Sequence, residues 1–182
     1  ESEPPARHWR VLAPLLQQAP WPDPLRAKVL QVFTLLAEAE GRVHGVSAEQ
    51  VHFHEVGAVD ALVDVVGVCA ALLHLGIEQL IATPPPAGHG RVNTAHGLLP
   101  LPAPAVLEIA RSHAIPLASS EGFPAKELTT PTGLALLAAW VTRWGAPPAH
   151  TPQNLGIGLG QRQLDRPNLL RLWQPARAVE SG

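Results

Sequence analysis

The chain has 182 residues, of which 46% are hydrophobic and 15% are charged, a composition that excludes an intrinsically disordered protein and suits a globular one. The formal net charge is −2, and without a stripe of Lys or Arg the sequence lacks the electrostatic footprint of a nucleic-acid-binding protein. The longest apolar run, residues 65–73, is too short to cross a bilayer, and no signal peptide opens the sequence. We therefore expect a cytoplasmic protein without nucleic-acid or membrane partners.

The N-terminal part of the chain is predicted to be irregular and then helical. Prolines recur through residues 1–22, so we expect no long helix before about Asp23. Asp23 is predicted to cap a helix in which Pro24 takes the first position. Apolar residues at helical spacing extend this helix to about Glu40.

Residues 51–55 carry the side chains that most strongly suggest metal binding. If this segment is extended, His52 and His54 point to the same face, because side chains alternate along a strand. Two imidazoles on one face, followed by Glu55, suit a borderline divalent ion such as nickel, zinc or cobalt. In the other interpretation the two histidines line a polar edge and bind nothing.

A helix is predicted over residues 58–75, and it carries two carboxylates on one stripe. Apolar residues cover most of its remaining circumference, and a helix of this kind is usually buried. We therefore expect Asp60 and Asp64 to face a cleft or a partner group. Asp60 could merely complement the positive helix end, which makes Asp64, a full turn further on, the stronger functional candidate. Cys69 is expected to be a buried structural thiol.

The rest of the chain alternates between short strands and helices. Strands are predicted at residues 79–83, 115–118 and 169–173, and helices from about Pro104 and over residues 134–143. Glycine alternates with aliphatic residues at 156–160, but no helix follows, which excludes a dinucleotide-binding loop. The order of elements predicts a single compact domain of the α/β class, with α+β as the alternative.

Two loop histidines are candidates for a further metal ligand. His96 lies in a loop bounded by proline and glycine, where functional side chains concentrate. A surface histidine without a ligand is an equally reasonable interpretation of this position. His89, between two glycines, is a weaker candidate of the same kind.

The segment TTPTG at residues 129–133 is predicted to begin a helix, with Thr130 as its cap and Pro131 at its first position. Such a start presents hydroxyl groups and backbone N–H groups together. It therefore also suits a phosphate or carboxylate. The candidate substrate-binding residues are Thr130, Thr132 and Gly133.

Four segments, in this order, resemble the LarC family of nickel-insertion proteins. They are VHFHEVGAVDA at residues 51–61, TAHGLLPLPAPA at 94–105, ELTTPTG at 127–133 and PNLLR at 167–171. The resemblance implies most of the family's N-terminal domain, without the family's opening strand and its C-terminal domain. We accordingly expect a proline-rich segment at 1–22, the LarC-like domain portion at 23–174 and a tail at 175–182.

The resemblance implies a specific reaction. LarC proteins insert nickel into pyridinium-3,5-bisthiocarboxylic acid mononucleotide and so form the nickel-pincer nucleotide cofactor of lactate racemase and related enzymes. This cyclometallation, of the lyase class, bonds nickel to two sulfurs and to a ring carbon that loses its proton. The reaction consumes CTP and uses Mn²⁺, both of which we expect on the separate C-terminal domain. A homo-oligomer is a further expected partner.

On this resemblance each candidate residue receives a role. Nickel is expected to be held or delivered by His52, His54 and His96. A carboxylate is expected to complete the metal shell, to orient a ligand imidazole or to accept the ring proton, and the candidates are Glu55, Asp60 and Asp64. The helix start at Thr130, Thr132 and Gly133 is expected to hold the substrate phosphate.

Two alternatives to a complete nickel-inserting enzyme are open. In the first, the chain is a nickel-binding or carrier module without catalysis of its own, and it acts with a separate CTP-binding domain. It then binds metal but forms no product. In the second, Asp60 and Asp64 bind magnesium in an enzyme that acts on phosphate esters, and loss of His52 and His54 has no effect.

Overall fold

The computed structural model describes residues 8–53, 59–94 and 97–175, which form two compact units, Glu1–Ala146 and Pro147–Gly182. The helices of the first unit are α1 (Trp9–Gln18), α2 (Asp23–His44), α3 (Val59–His74), α4 (Pro104–Ser112) and α5 (Pro131–Trp140). Its strands are β1 (Leu80–Ala82), β2 (Gly90–Thr94), β3 (Gly97–Leu101) and β4 (Val141–Trp144). The second unit contains β5 (Pro152–Leu159) and β6 (Leu169–Pro175). This mixture of helices and short strands confirms the predicted α/β class.

Helix α2 is the centre of the first unit, and it packs against α1, α3, α4 and α5. Its buried side chains, which include Val29, Val32, Phe33 and Leu36, lie on more than one side because neighbours surround it. The helix ends at Gly45, whose φ of 68° is the left-handed conformation that glycine adopts most readily at a helix end. The core thus forms around one long helix.

The segment before α3 is anchored in this core by alternate residues. Val51 and Phe53 are buried, whereas His52 between them is half-buried. The Phe53 ring meets the rings of Trp9 and Phe33 edge-on, at centroid distances of 6.3 and 6.4 Å. The backbone N–H of Trp9 donates to the Val51 carbonyl at 3.0 Å. Aromatic packing on one side therefore fixes the backbone that carries His52.

The C-terminal end of α5 is tied to both α2 and α3. Lys28 Nζ on α2 donates to the carbonyl of Ala139 at 2.7 Å, and it lies 4.7 Å from the centre of the Trp140 ring. A cation at the negative end of a helix is electrostatically favourable. Trp140 Nε1 in turn donates to Cys69 Sγ on α3 at 3.5 Å. These contacts hold α5 beside the helix that carries Asp64.

In the part of the chain that the structure describes, the strands form three separate pairs. β1 and β4 are parallel, β2 and β3 are antiparallel, and β5 and β6 form an antiparallel hairpin in the second unit. This hairpin exposes large apolar side chains on both strands, among them Leu155, Ile157, Leu159 and Leu170. In the first unit Gly88 has a φ of +92°, and a Cβ at this position would collide with the Lys126 carbonyl, so only glycine fits.

Two predictions for the N-terminal part need correction. We expected no long helix before Asp23, but α1 occupies Trp9–Gln18 with Pro14 inside it. Burial of its apolar face, Trp9, Leu12 and Leu16, outweighs the hydrogen bond that proline removes. We also expected Asp23 to be the cap of the next helix. It is instead the first residue of α2, and its carboxylate accepts from Arg26 at 2.6 Å.

Three further predictions differ from the structure. Residues 115–118 form no strand; Ala118 makes a single bridge to Pro86. The helix predicted over 134–143 begins earlier and ends at Trp140, because Val141–Trp144 pair with β1. Helix α3 is less buried than expected: Val65, Cys69 and Leu72 are buried, but the side chain of Val63 is 62% exposed. Among the residues that the structure describes, no helix is both long and apolar enough to span a membrane.

Cys69 is buried as predicted, and its burial yields a testable pH dependence. Burial raises the pKa of the Cys69 thiol above its ordinary value, with smaller opposing effects from Trp140 and Lys28. When the pH rises through about 8.5, the unfolded thiol ionises first, so the unfolded state is favoured. We expect the free energy of unfolding, measured in urea, to fall above this pH in the wild type. A Cys69→Ala variant that keeps the same slope would contradict the assignment.

Candidate functional site

An open cleft of about 440 Å³ lies between α3 and the start of α5. Its lining residues are Val63, Asp64, Gly67, Val68, Thr130, Thr132, Gly133 and Leu136. The cleft therefore brings Asp64 together with the three candidate substrate-binding residues, which lie far from it in sequence. As expected, the α3 stripe faces a cleft at Asp64.

The start of α5 is built by a side-chain cap, as the sequence predicted. Thr130 Oγ1 accepts the N–H of Gly133 at 3.2 Å, and the Thr130 carbonyl accepts from Leu134 at 3.0 Å. Just before it, the buried Thr129 donates its hydroxyl to the Pro86 carbonyl at 2.8 Å. A Cβ at Gly133 would lie 3.3 Å from Thr130 Oγ1, so a larger residue would crowd the cap.

This cap limits how an anion can bind at the helix start. The Gly133 N–H already bonds Thr130, and Pro131 has no N–H to offer. An anion could bind through the backbone N–H and hydroxyl of Thr132, or it could displace the Thr130 hydroxyl from Gly133. Both arrangements place negative charge at the positive end of α5.

Asp64 is the single charged residue among the eight that line the cleft, and none of them is basic. An anion at the start of α5 would therefore meet a carboxylate across the cleft, and the described lining residues supply no cation between them. Like charges repel strongly at short range.

The other predicted site residues lie elsewhere or outside the described residues. Asp60 is exposed on α3 and does not line the cleft. The predicted positions that lie outside the described residues are His54, Glu55 and His96. Within residues 8–53, 59–94 and 97–175, no three His, Cys, Asp or Glu side chains come close enough to hold a metal ion.

The structure pairs His52 with a residue that sequence reasoning did not single out. His8 and His52 form an antiparallel bridge, and their ring centroids are 4.6 Å apart. No local pattern around His8 indicated this partner.

A separate cavity of about 570 Å³ is lined by ten residues, His89 among them. The Nε2 atom of His89 lies 2.9 Å from the Phe123 carbonyl oxygen.

We expect Thr130→Ala to lower the free energy of unfolding by about 0.5–1 kcal/mol, because it removes the cap of α5. The bond is solvent-exposed, which keeps the effect at the low end of the usual range. Thr132→Ala is the matched control, since the same atoms are removed two residues later, within the helix, without loss of the cap. Equal losses in the two variants, measured by urea denaturation, would argue against the cap.

Comparison with known proteins identifies the family. Residues 1–181 match the family described as "Nickel insertion protein". Two relatives carry the name pyridinium-3,5-bisthiocarboxylic acid mononucleotide nickel insertion protein. The one from Nocardioides sp. (strain ATCC BAA-499 / JS614) is 46% identical over 97% of this chain and 45% of its own length. The one from Staphylococcus epidermidis (strain ATCC 12228 / FDA PCI 1200) is 40% identical over 92% of this chain and 42% of its own length.

No solved structure matches the chain. The chain spans about two fifths of the length of the curated relatives it matches; it covers from 39% to 45% of each relative's own length. The family match nevertheless extends over almost every residue of the chain. The chain therefore belongs to the nickel insertion protein family.

Proposed function

We propose that this chain takes part in the insertion of nickel into pyridinium-3,5-bisthiocarboxylic acid mononucleotide, which yields the nickel-pincer nucleotide cofactor of lactate racemase-like enzymes. The names of two relatives support the substrate. The observation that carries the proposal is the cleft that joins Asp64 to the start of α5. It offers a place for a phosphate opposite a carboxylate that can bind metal or accept a proton.

The start of α5 is proposed to hold the substrate phosphate. Thr132 supplies an N–H and a hydroxyl there, and the dipole of α5 favours the negative charge. The apolar side chains of the cleft, Val63, Val68 and Leu136, suit the flat face of a pyridinium ring.

Nickel is proposed as cargo that passes from imidazole ligands to the substrate. We propose His52, which lies among the described residues, as one nickel ligand, and we assign the same role to His54 and His96. In the reaction two nickel–sulfur bonds and one nickel–carbon bond form, and the ring C–H bond breaks. Its electron pair goes to nickel and its proton to a carboxylate, for which Asp64 is our first choice and Asp60 and Glu55 are the others.

CTP and Mn²⁺ are proposed to act outside the cleft. The cleft already has to accommodate a mononucleotide, and its described lining residues include none of the basic side chains that a triphosphate would require. Because relatives are more than twice as long as this chain, we assign CTP binding to the part of those proteins that this chain does not match. On this basis the chain acts in a CTP-dependent cyclometallase of the lyase class.

The test combines the purified chain with nickel, the bisthiocarboxylated mononucleotide, CTP and Mn²⁺. The reactions run with and without the unmatched portion of the Staphylococcus epidermidis relative. Mass spectrometry identifies product by the isotope pattern of nickel. Product in the complete mixture supports the proposal. Nickel binding without product in either mixture would instead make the chain a carrier module.

A further inference from the structure

Two histidine rings face each other across a backbone bridge. His8 lies directly before α1, and His52 lies in the extended segment before α3. The two residues form an antiparallel bridge, their ring centroids are 4.6 Å apart and their planes are inclined at 48°. Side chains directly opposite each other in such a bridge lie on the same face. The meeting of the two imidazoles is therefore set by the backbone.

The backbone on either side of this pair is held firmly. The backbone N–H of Trp9 donates to the Val51 carbonyl at 3.0 Å, and Trp9, Val51 and Phe53 are all buried. The Trp9 and Phe53 rings also meet edge-on. His8 and His52 themselves are only half-buried. The pair is therefore carried by a firmly held backbone, which preorganises it, and each histidine is partly exposed.

The spacing of the rings suits one metal ion bound by both. A metal–nitrogen bond of about 2.1 Å places the centre of an imidazole ring about 3.2 Å from the metal. Two rings at adjacent corners of a square-planar or octahedral ion then have centres about 4.5 Å apart, and square-planar or tetragonal nitrogen coordination is typical of nickel and copper. The observed separation of 4.6 Å matches this value.

We propose that His8 and His52 together bind a divalent transition metal ion through one ring nitrogen each, and that His8 is thus a nickel ligand. The inference rests on the proposed function for the identity of the ion as nickel and for the role of His52. Two protein imidazoles leave coordination positions open. A metal that must pass to two substrate sulfurs needs such positions, which suits this pair to delivery of nickel.

The experiment titrates Ni²⁺ into the purified chain by calorimetry. We expect His8→Ala and His52→Ala each to weaken binding at least about tenfold, since even changes behind metal ligands cost this much. His8→Gln, which keeps the size of the side chain, should weaken it equally. His113→Ala is the matched control, because His113 is an exposed histidine at the end of α4, and it should bind as the wild type does. Circular dichroism is used to check that each variant is folded.

Wild-type affinity in both folded His8 variants would overturn the proposal, as would equal weakening in His113→Ala. A second readout is paramagnetic broadening of imidazole NMR signals, which should affect His8 and His52 first. Product formation is measured separately, so the two proposals can fail independently. Weaker metal binding with unchanged product formation would support the His8–His52 metal site but show that nickel insertion does not use it. Lost product formation with unchanged metal affinity would overturn the metal site while the proposed function still stands.

Discussion

Asp64→Asn is expected to lower the rate of nickel insertion by about 10²–10⁴-fold, the usual contribution of a positioned proton acceptor. Asp64 is the one carboxylate among the residues lining the α3–α5 cleft, and asparagine keeps its shape while removing its charge and its ability to take a proton. The rate is measured as product per unit time in the complete mixture with CTP and Mn²⁺. Because Asp64 is exposed, the substitution should leave the urea midpoint of unfolding nearly unchanged.

Two further carboxylates make this prediction discriminating. Glu78→Gln, an exposed substitution just after α3, is the control that should leave the rate unchanged. Asp60 is also exposed on α3 but does not line the cleft, so Asp60→Asn should reduce the rate much less than Asp64→Asn. If Asp60→Asn proves the more damaging of the two, the α3–α5 cleft is not where the ring proton leaves.

The individual site residues could be predicted from local patterns, but their arrangement could not. The spacing of Asp60 and Asp64 on a helix and the proline after Thr130 are signals within a few residues. The structure then separates the two aspartates, because only Asp64 faces the start of α5. That distinction depends on how α3 packs beside α5, and no local pattern contains it.

The fold follows the same division between local and distant interactions. Helices α2 and α3 lie within a few residues of their predicted bounds, and α4 begins at Pro104 as predicted, because apolar periodicity and a proline at the helix start act locally. The pairing of Val141–Trp144 with β1 was missed because a parallel pair joins distant segments. The partner of His52 was missed for the same reason: the bridge to His8 depends on α1, a helix that the prolines of the N-terminal segment argued against.

The second large effect concerns stability: Phe53→Ala should lower the free energy of unfolding by about 3–5 kcal/mol. The Phe53 side chain is 1% exposed and packs edge-on against Trp9 and Phe33, so its removal leaves a cavity that α1 and α2 cannot easily fill. A loss of this size is a large share of the stability of an ordinary domain. Urea denaturation followed by circular dichroism measures it.

Two variants separate the loss of packing from a general sensitivity to truncation. Phe53→Leu keeps an apolar side chain in the space and should cost distinctly less than Phe53→Ala. Leu107→Ala removes apolar atoms from an exposed position on α4, where the side chain is 46% exposed, and should change stability by about 0.5 kcal/mol or less. Similar losses in all three variants would mean that Phe53 does not anchor the core. Because Phe53 also fixes the backbone of His52, Phe53→Ala should weaken nickel binding even where the protein is still folded, whereas Leu107→Ala should not.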